Sequence, residues 1–316
     1  MLVVGIGGGG DIVGTLPTAR LFKAFGAETI LGGVSWERIV RDPVAGPRKL
    51  DEVEGVRPLH PAVWLAGAQA RIKGGVRFTE SFVAESLGKD TLLVDINGGP
   101  SQVAEGLLRT AEALGADRVM GVDVGGDSLA KGSETGIRSP LCDAVMVAAL
   151  AQVEKTLPTA LGVLGYGTDA ELKGEEINAS LSEVAAGGGY LGAWGMTAGA
   201  AEEMDTLARA TGSEASLLAV ASFRGERGVR TIREKTRSME LSPVCCVTFY
   251  VRPTVLMDRV SALARSVQGA ATLKEANEAL HSLGLRTELD LEQEMSALGT
   301  QSYQEWDSSR RSGDPK

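Results

Sequence analysis

The chain has 316 residues, including 41 glycines but only 2 histidines, 4 Trp, 4 Tyr and 6 Phe. Its 43% hydrophobic and 23% charged composition is that of a globular protein, and the glycines follow no Gly-X-Y period, which excludes a collagen-like fold. The net charge of −9 and the few aromatic residues argue against nucleic acid and anionic membranes as partners, because both attract clustered Lys and Arg, and two histidines exclude a His-rich metal site.

Short apolar runs in the first 190 residues predict the strands of a parallel sheet. They are Leu2–Ile6, Thr29–Val34, Thr91–Ile96, Arg118–Val124 and Thr159–Leu164. Helical patterns separate them, and most of the runs lead into a loop rich in Gly and Asp. Apolar runs that alternate with helices are typical of βα units. We therefore predict an α/β fold, a three-layer Rossmann-like sandwich with a mostly parallel sheet, whose loops meet at the carboxyl edge of the strands.

Two stretches of the chain depart from this rhythm. Residues 41–62 are rich in Pro and Arg and are predicted to form a long loop that covers a site. After Gly189 the pattern weakens, although Ala198–Ala210 predicts a helix and Val244–Val251 a buried strand, with two further helices near 255–267 and 273–283.

The domain organisation follows from the absence of an interior linker in the sequence. We predict a single domain over residues 1–290, with a loop-bearing core at 1–190 and C-terminal helices and a strand at 191–290. Residues 291–316 are polar and are predicted to form a disordered tail. Because the first residues already belong to a predicted strand, we also expect a few residues upstream of Met1.

A run of glycines follows the first predicted strand and is the first candidate binding element. It comprises Gly7, Gly8, Gly9 and Gly10, with Asp11 next. Gly5–Gly10 has the GxGxxG form of a dinucleotide fingerprint, but the second strand ends without an acid for a ribose, and only Glu37 follows later. Bare amides before a helix N-terminus bind anions, so we predict a phosphate loop. The alternative is a tight turn in which glycine only permits close packing.

Aspartates at predicted strand ends form the second candidate element. They are Asp11, Asp95, Asp123, Asp127 and Asp169, and Asp143 lies in the first turn of a later helix. Carboxylates beside a phosphate site indicate Mg²⁺, which takes one or two carboxylates together with water and phosphate oxygens. We assign Asp95, Asp123 and Asp127 as candidate catalytic groups, and Asp123 and Asp127 as candidate metal ligands. The alternative is that each aspartate caps a loop or a helix.

The remaining candidate binding residues lie near these elements or in a basic series. Asn97 and the amides of Gly98, Gly99, Gly125 and Gly126 are expected to orient a substrate, together with the helix-capping Ser139. Arg224, Arg227, Arg230, Arg233 and Arg237 recur at spacings that one helical face would gather. Arg230 and Arg233 are the candidate phosphate clamps of this series. The alternative is a solvated surface that Glu226 and Glu234 neutralise.

Several motifs occur together in one order that resembles a known family. They are Gly7-Gly-Gly-Gly-Asp11, Thr15-Leu-Pro17-Thr-Ala-Arg20, Gly32-Gly-Val-Ser-Trp-Glu-Arg38, Asp42-Pro-Val-Ala-Gly-Pro-Arg48, Asp95-Ile-Asn-Gly-Gly99, Gly121-Val-Asp-Val-Gly-Gly-Asp127 and Arg138-Ser-Pro-Leu-Cys-Asp143. The set resembles a prokaryotic family known as domain of unknown function number 1152, over roughly residues 1–250. The resemblance implies a Rossmann-like α/β fold and brings no activity or substrate.

The sequence favours a cytosolic enzyme that acts on a nucleotide or another phosphorylated small metabolite with Mg²⁺. Transferase or hydrolase chemistry suits carboxylates and backbone amides better than chemistry that needs a histidine base. An NAD(P)-dependent oxidoreductase and a non-catalytic nucleotide-binding regulatory protein are the alternatives. Three cysteines without metal-site spacing and the lack of a signal peptide favour the cytoplasm. We expect no nucleic-acid or membrane partner, and a homodimer.

Overall fold

A nine-stranded mixed sheet forms the centre of the computed structural model, which describes residues 1–313. The strands are β1 (Leu2–Gly5), β2 (Ile30–Val34), β3 (Val53–His60), β4 (Val63–Ile72), β5 (Thr91–Val94), β6 (Val119–Val124), β7 (Thr159–Leu164) and β8 (Tyr190–Gly195), then β9 (Gly228–Ile232) and β10 (Arg237–Leu241), which form a separate hairpin, and β11 (Val247–Val251). The sheet order is β3-β4-β5-β2-β1-β6-β7-β11-β8. The middle strands β5-β2-β1-β6-β7 are parallel, and this is the strand order of a Rossmann fold.

Helices cover both faces of the sheet. They are α1 (Asp11–Ala24), α2 (Thr79–Leu87), α3 (Gly99–Leu114), α4 (Pro140–Val153), α5 (Gly174–Ala186), α6 (Ala198–Thr211), α7 (Glu214–Phe223), α8 (Pro253–Arg259), α9 (Ala262–Val267), α10 (Leu273–Ser282), α11 (Glu288–Ala297) and α12 (Tyr303–Gly313). Within residues 1–313, none of these helices combines the length and the apolar character that crossing a bilayer requires.

Two hydrophobic clusters, one on each face of the sheet, give the fold its three layers. Leu2 and Val4 of β1 belong to the cluster that contains α3, α4 and α8 to α10, whereas Val3 belongs to the cluster that contains α1, α2, α6 and α7. Successive side chains of a strand point to opposite faces, so a strand covered on both sides must be apolar throughout. This explains the continuous apolar runs of the sequence and confirms the predicted three-layer, mostly parallel α/β sandwich.

The chain reverses its direction of winding between β1 and β6. The helix after β1, α1, packs on one face of the sheet, whereas the helix after β6, α4, packs on the other. The loops after these two adjacent strands therefore diverge and leave a crevice at the carboxyl edge of the sheet. Ligands of open α/β sheets bind in such crevices.

The predicted loop at residues 41–62 is partly wrong, because its second half is the edge strand β3. β3 pairs antiparallel with β4, and most of its residues are half-buried or exposed. An edge strand tolerates charged residues and proline, here Glu54, Arg57 and Pro58, since one of its sides pairs with no other strand. These residue types gave the segment the composition of a loop.

The predicted disordered tail at 291–316 is also wrong over the described residues. The segment forms most of α11 and all of α12, and residues 314–316 lie outside the described part. Thr287 caps α11, and its side chain and that of Asp290 form a reciprocal capping box. Glu292 and Met295 of α11 are buried against the rest of the protein. The prediction failed because it relied on the polar composition of the segment. Composition does not distinguish a buried, hydrogen-bonded glutamate from a solvated one.

Candidate functional site

A cavity of about 310 Å³ lies at the crevice between the loops that follow β1 and β6. Its size is that of a small-molecule site. The aspartates that line it are Asp11, Asp123, Asp127, Asp143 and Asp169, and the arginines are Arg38, Arg41, Arg138, Arg233 and Arg237. The structure thus brings together aspartates from four separate loops and helix starts, because the parallel strands deliver all of them to one edge of the sheet.

The glycine run forms a tight loop at one wall of this cavity. Gly8, Gly9 and Gly10 have φ angles of 70°, 60° and 128°, a region that side chains disfavour. The Gly7 amide donates a 2.8 Å hydrogen bond to Asp11 Oδ2, and the Gly9 amide donates one of 2.8 Å to the Trp36 carbonyl. Two of the four amides are therefore engaged within the protein, and one of them orients the Asp11 carboxylate.

Three buried aspartates form the centre of the site. One carboxylate oxygen from each of Asp123, Asp127 and Asp143 lies within 4.8 Å of the other two. Asp123 is the penultimate residue of β6, Asp127 begins a short 3-10 turn, and Asp143 lies in the first turn of α4. Among the described residues, Asp143 Oδ1 is fully buried and has no hydrogen-bond partner. A buried acceptor without a donor is costly, so this oxygen indicates a group that the protein itself does not supply.

The loop after β6 fixes Asp123. Its Oδ2 accepts hydrogen bonds from the amide and the hydroxyl of Ser128, the first at 3.2 Å, and its Oδ1 lies 3.4 Å from the Gly126 amide. Gly125 and Gly126 shape this loop, with φ angles of 140° and 121°. Asp123 therefore caps its own loop, as the alternative interpretation expects, while still facing the cavity.

A second network holds Asp127 from the opposite side. Ser139 Oγ lies 3.2 Å from Asp127 Oδ2 and 2.6 Å from Glu171 Oε1. Glu171 also accepts hydrogen bonds from the amides of Arg138 and Ser139, and it pairs with Arg237 at 3.0 Å. Burial raises the pKa of Glu171, but Arg237 and these donors outweigh burial and hold the pKa below its ordinary value. Glu171 is therefore ionised, and its carboxylate holds Ser139 and Arg237 in place beside Asp127.

The cavity aspartates have raised pKa values. Burial is the largest cause, and neighbouring carboxylates add to it. The pKa of Asp11, Asp123 and Asp169 rises to about 7 in each case, while the pKa values of Asp127 and Asp143 lie well above the ordinary range. Without a compensating positive charge, the cluster therefore holds protons at neutral pH. A cation in the cavity would have to displace them.

Glutamates and aspartates of the cavity differ in their partners. Four glutamates pair with arginines, namely Glu37 with Arg41, Glu171 with Arg237, Glu288 with Arg38 at 3.5 Å and Glu214 with Arg233 at 3.9 Å. Within the described part of the chain, none of the five cavity aspartates has a basic group at ion-pair distance. Among the described residues, the cavity aspartates are therefore carboxyl groups that lack a cationic partner.

Arg38 supplies a cationic group to the cavity that the aspartates line. Its guanidinium carbon lies 4.4 Å from the centroid of the Trp36 ring, and its Nη2 donates to the Gly7 carbonyl. Among the described residues, Nη1 is buried without a hydrogen-bond partner, although Glu288 stands nearby. Arg38 itself has a φ of 59°, and non-glycine residues at such angles cluster at functional sites. Sequence reasoning missed this residue.

Helix α11 closes the cavity from the C-terminal side. Glu288 accepts hydrogen bonds from the amides of Leu141 and Cys142, at 3.0 Å and 2.8 Å, and so caps α4. Glu292 accepts from the Trp36 indole at 2.8 Å and from the amides of Ile39 and Gly46. Sequence reasoning missed both acids, although the pair Thr287 and Asp290 was a readable sign that a helix begins here.

The structure does not bring Asp95, Asn97, Gly98 and Gly99 to this cavity. Asp95 Oδ1 accepts hydrogen bonds from the backbone and side-chain nitrogens of Asn97, at 2.8 Å and 2.7 Å. Asn97 lines a separate cleft with residues of α10 and α11. Gly99 packs so tightly that a Cβ there would lie 2.3 Å from the Ala270 carbonyl oxygen. Because β5 lies two strands from the crevice, its loop meets the C-terminal helices instead.

The basic series does not lie on one helical face, although its spacing would fit one. It spans the end of α7 and the β9–β10 hairpin. Arg230 is on the surface and pairs with Glu226 at 3.1 Å, whereas Arg233, in the hairpin turn, and Arg237 reach the cavity. Helical spacing does not apply here, because side chains of a strand alternate between faces and the chain reverses between Arg230 and Arg237.

The strand order, the crevice and the buried carboxylates define a Rossmann-like α/β protein with an acidic cavity at the point where the winding reverses. The profile of the family described as "Protein of unknown function (DUF1152)" matches residues 2–296, and the chain belongs to this family. The match includes Glu288 and Glu292 of α11. Comparisons with curated proteins and with solved structures gave no match.

Proposed function

We propose that the cavity binds Mg²⁺ on Asp123, Asp127 and Asp143 and, together with it, a phosphorylated small molecule. One observation carries this proposal. Asp143 Oδ1 is buried and has no hydrogen-bond donor among the described residues. The Asp143 carboxylate also lies beside those of Asp123 and Asp127. Carboxylate oxygens are the protein ligands that Mg²⁺ prefers, and one or two commonly suffice beside water and phosphate oxygens. The sequence predicted Asp123 and Asp127 as metal ligands, and the proposal adds Asp143 as a third ligand.

The charge pattern supports a ligand that carries its own negative charge. Arg38 and Arg233 line the cavity together with the five aspartates, and these aspartates are its acidic floor. A phosphate alone would be attracted by the arginines and repelled by the floor. A cation on the floor removes the repulsion, so phosphate and cation should bind more tightly together than apart.

Transferase or hydrolase chemistry on a phosphate group is the reaction class that these parts favour. A bound Mg²⁺ would withdraw charge from phosphate oxygens. Arg38 would position the anionic group through its guanidinium, whose Nη1 lies 3.5 Å from Glu288 and has no hydrogen-bond partner among the described residues. Asp11 and Asp169 line the same cavity and are the carboxylates outside the proposed metal ligands that could accept a proton from water or a hydroxyl.

The dinucleotide alternative has one observation in its favour, the Rossmann strand order. Two contacts weigh against it. The Gly7 and Gly9 amides, which would face a pyrophosphate, are engaged by Asp11 and the Trp36 carbonyl. Glu37, the acid that follows β2, is held by Thr79 and Arg41 and is not free for a ribose.

Calorimetric titration of the metal-free protein with Mg²⁺ tests the proposal. Wild type should bind the ion, and D143N should lose this binding while keeping its fold by circular dichroism. The control is D117N, since Asp117 is exposed and pairs with Arg118 away from the cavity. Inorganic phosphate and ATP should then stabilise wild type against heat more strongly with Mg²⁺ than without it. Failure to bind Mg²⁺, or stabilisation by NAD(P) alone without metal, would refute the proposal.

A further inference from the structure

The turn of the β9–β10 hairpin has an unfavourable backbone conformation. Arg233, Glu234 and Lys235 have φ angles of 52°, 54° and 65°, a region that residues with a side chain disfavour. Arg233 lines the cavity, and its backbone amide donates a 2.9 Å hydrogen bond to Glu214. Such conformations persist only where the surrounding structure supports them. The support of this turn therefore bears on how Arg233 is presented to the cavity.

The start of α12 and the residues just before it supply this support. The Ser302 hydroxyl and the Gln304 amide donate hydrogen bonds of 2.7 Å and 2.9 Å to Glu234 Oε2. The Gln304 side chain also donates to the Glu234 carbonyl, at 3.2 Å. The guanidinium carbon of Arg233 lies 6.0 Å from the centroid of the Tyr303 ring, and both residues line the cavity. Three hydrogen bonds thus attach this segment to one residue of the turn.

The same segment reaches the loop of Arg38. Gln301 Nε2 donates a 2.7 Å hydrogen bond to the carbonyl of Ile39, the residue after Arg38. The segment therefore joins that loop to the hairpin turn of Arg233, and the two arginines line one cavity. We refer to residues 301–313 as the strap.

The strap is held by surface contacts. None of residues 301–309 is fully buried, and a 3.2 Å hydrogen bond from Trp306 Nε1 to Glu294 connects the strap to α11. Helix α12 has 11 residues, and isolated helices of this length are marginal in water. Segments with few buried apolar contacts open at a low free energy. The strap also lies beyond residues 2–296, which match the family, whereas both arginines lie within them.

We propose that the strap closes over a phosphorylated ligand, and that Glu234 is the positioning residue through which it holds Arg233 at the cavity. The inference rests on the proposed function, since the ligand is the phosphorylated molecule proposed there. Phosphate oxygens attract Arg38 and Arg233, and the strap stabilises the arrangement in which both line the cavity. Ligand binding and docking of the strap therefore favour each other. Release of the strap withdraws Tyr303 from the lining and opens the cavity.

The experiment combines hydrogen-exchange mass spectrometry and calorimetry on the full chain in Mg²⁺, with and without inorganic phosphate. In wild type, phosphate should slow exchange in residues 233–236 and 301–306 together. E234A should exchange faster in the strap and bind phosphate roughly fivefold to tenfold more weakly. E234Q keeps an oxygen acceptor and should restore most of the binding. The control is K235A, an exposed position in the same turn, which should match wild type.

Mg²⁺ binding serves as the test for a merely structural effect. Its affinity should be equal in wild type and E234A, because Glu234 lies outside the proposed metal ligands. If E234A loses Mg²⁺ binding because it unfolds, Q301A decides the question. This variant releases the other end of the strap and should also weaken phosphate binding with Mg²⁺ affinity unchanged.

The outcomes separate this inference from the proposed function. If wild type binds phosphate but exchange in the strap stays the same, the strap proposal is overturned and the cation site is left in place. Wild-type phosphate affinity in both E234A and Q301A overturns it equally. If wild type binds no phosphate in Mg²⁺, the proposed function and the strap proposal are both overturned.

Discussion

Glu292 Oε2 accepts a 2.8 Å hydrogen bond from the indole nitrogen of Trp36, which precedes it by 256 residues. The same carboxylate accepts hydrogen bonds from the backbone amides of Ile39 and Gly46. One buried side chain therefore satisfies three hydrogen-bond donors of a single loop. Arg38, which contacts the glycine run, belongs to that loop. Glu292 thus connects helix α11 to the wall of the cavity.

Replacing Glu292 should destabilise the protein strongly. E292A leaves three donors without an acceptor, and each unsatisfied buried donor costs about 1–3 kcal/mol. We expect a loss of roughly 3 kcal/mol or more in urea unfolding, together with a red shift of tryptophan fluorescence as Trp36 meets water. The control is E278A on the exposed side of α10, expected to cost under about 0.5 kcal/mol. Equal losses in the two variants would contradict this role.

The raised aspartate pKa values make the metal-free protein less stable as the pH rises. The pKa of Asp11, Asp123 and Asp169 is about 7 in the folded protein, against 3.8 ordinarily, so the folded state binds more protons between these values. The stability from these groups is fully present below the ordinary pKa and is lost as the pH rises through about 7. Melting temperatures should therefore fall between about pH 5.5 and about pH 8.

Mg²⁺ should reverse this trend, because it competes with protons for the same carboxylates. Its stabilising effect should be small at about pH 5.5 and large at about pH 8. Melting curves at both pH values, with Mg²⁺ and with a chelator, provide the measurement. A Mg²⁺ effect that is equal at both pH values would count against a cation on these aspartates.

Removing one charge from the cluster should stabilise the metal-free protein. In D143N the amide replaces a carboxyl of nearly the same shape, and repulsion from Asp123 and Asp11 disappears. We expect a gain in stability that is larger at about pH 8 than at about pH 5.5, because burial and the neighbouring carboxylates raise the pKa of Asp143 and folding then costs more as the pH rises. Urea titrations at both pH values would detect it. Destabilisation at the higher pH would mean that the ionised carboxylate has a partner that this argument omits.

Gly125 should tolerate no side chain. Its φ is 140°, and a Cβ would lie 2.4 Å from Asp169 Cγ, so G125A has both backbone strain and a collision. Gly192 has a φ of 118° with nothing within 4 Å of a Cβ, which makes G192A a control for strain alone. The strain costs of order 1–3 kcal/mol, and the collision should add about as much again in G125A. Similar unfolding energies for the two variants would contradict this packing.

Two arginines of one hairpin should differ in their effect on anion binding. Arg233 lines the cavity, whereas Arg230 lies on the surface beside Glu226. With Mg²⁺ present, R233A should weaken binding of inorganic phosphate by about tenfold, and R230A should leave it unchanged, since an exposed pair is worth little. Calorimetry on both variants makes the comparison. The opposite ranking would place the anion elsewhere.

The fold was predictable from the sequence where burial on both faces enforces a continuous apolar run. Such runs located β1, β2, β5, β6 and β7, and their alternation with helices gave the parallel sheet. The edge strand β3 was missed because an exposed edge accepts Glu, Arg and Pro without loss.

The site was predictable only in part, for a different physical reason. Aspartates that follow strands β1 and β6 converge because parallel strands share one carboxyl edge. Asp95 follows a strand of the same sheet, but the loop after that strand reaches another cleft, which Asn97 lines, since spatial strand order is not visible along the chain. Arg38 and Glu288 were missed because they meet across 250 residues through a buried contact, which no local pattern encodes.

The position of α11 has a consequence for the order in which the protein is made. Chains are synthesised at roughly 5–20 residues per second, so Trp36 leaves the ribosome on the order of 10–50 s before Glu292. During that interval the loop of Trp36 has no acceptor for its three donors, and the acidic cavity lacks one wall. A chain that stalls late, after α10 has completed the core but before α11, would consequently hold a finished core and an open site.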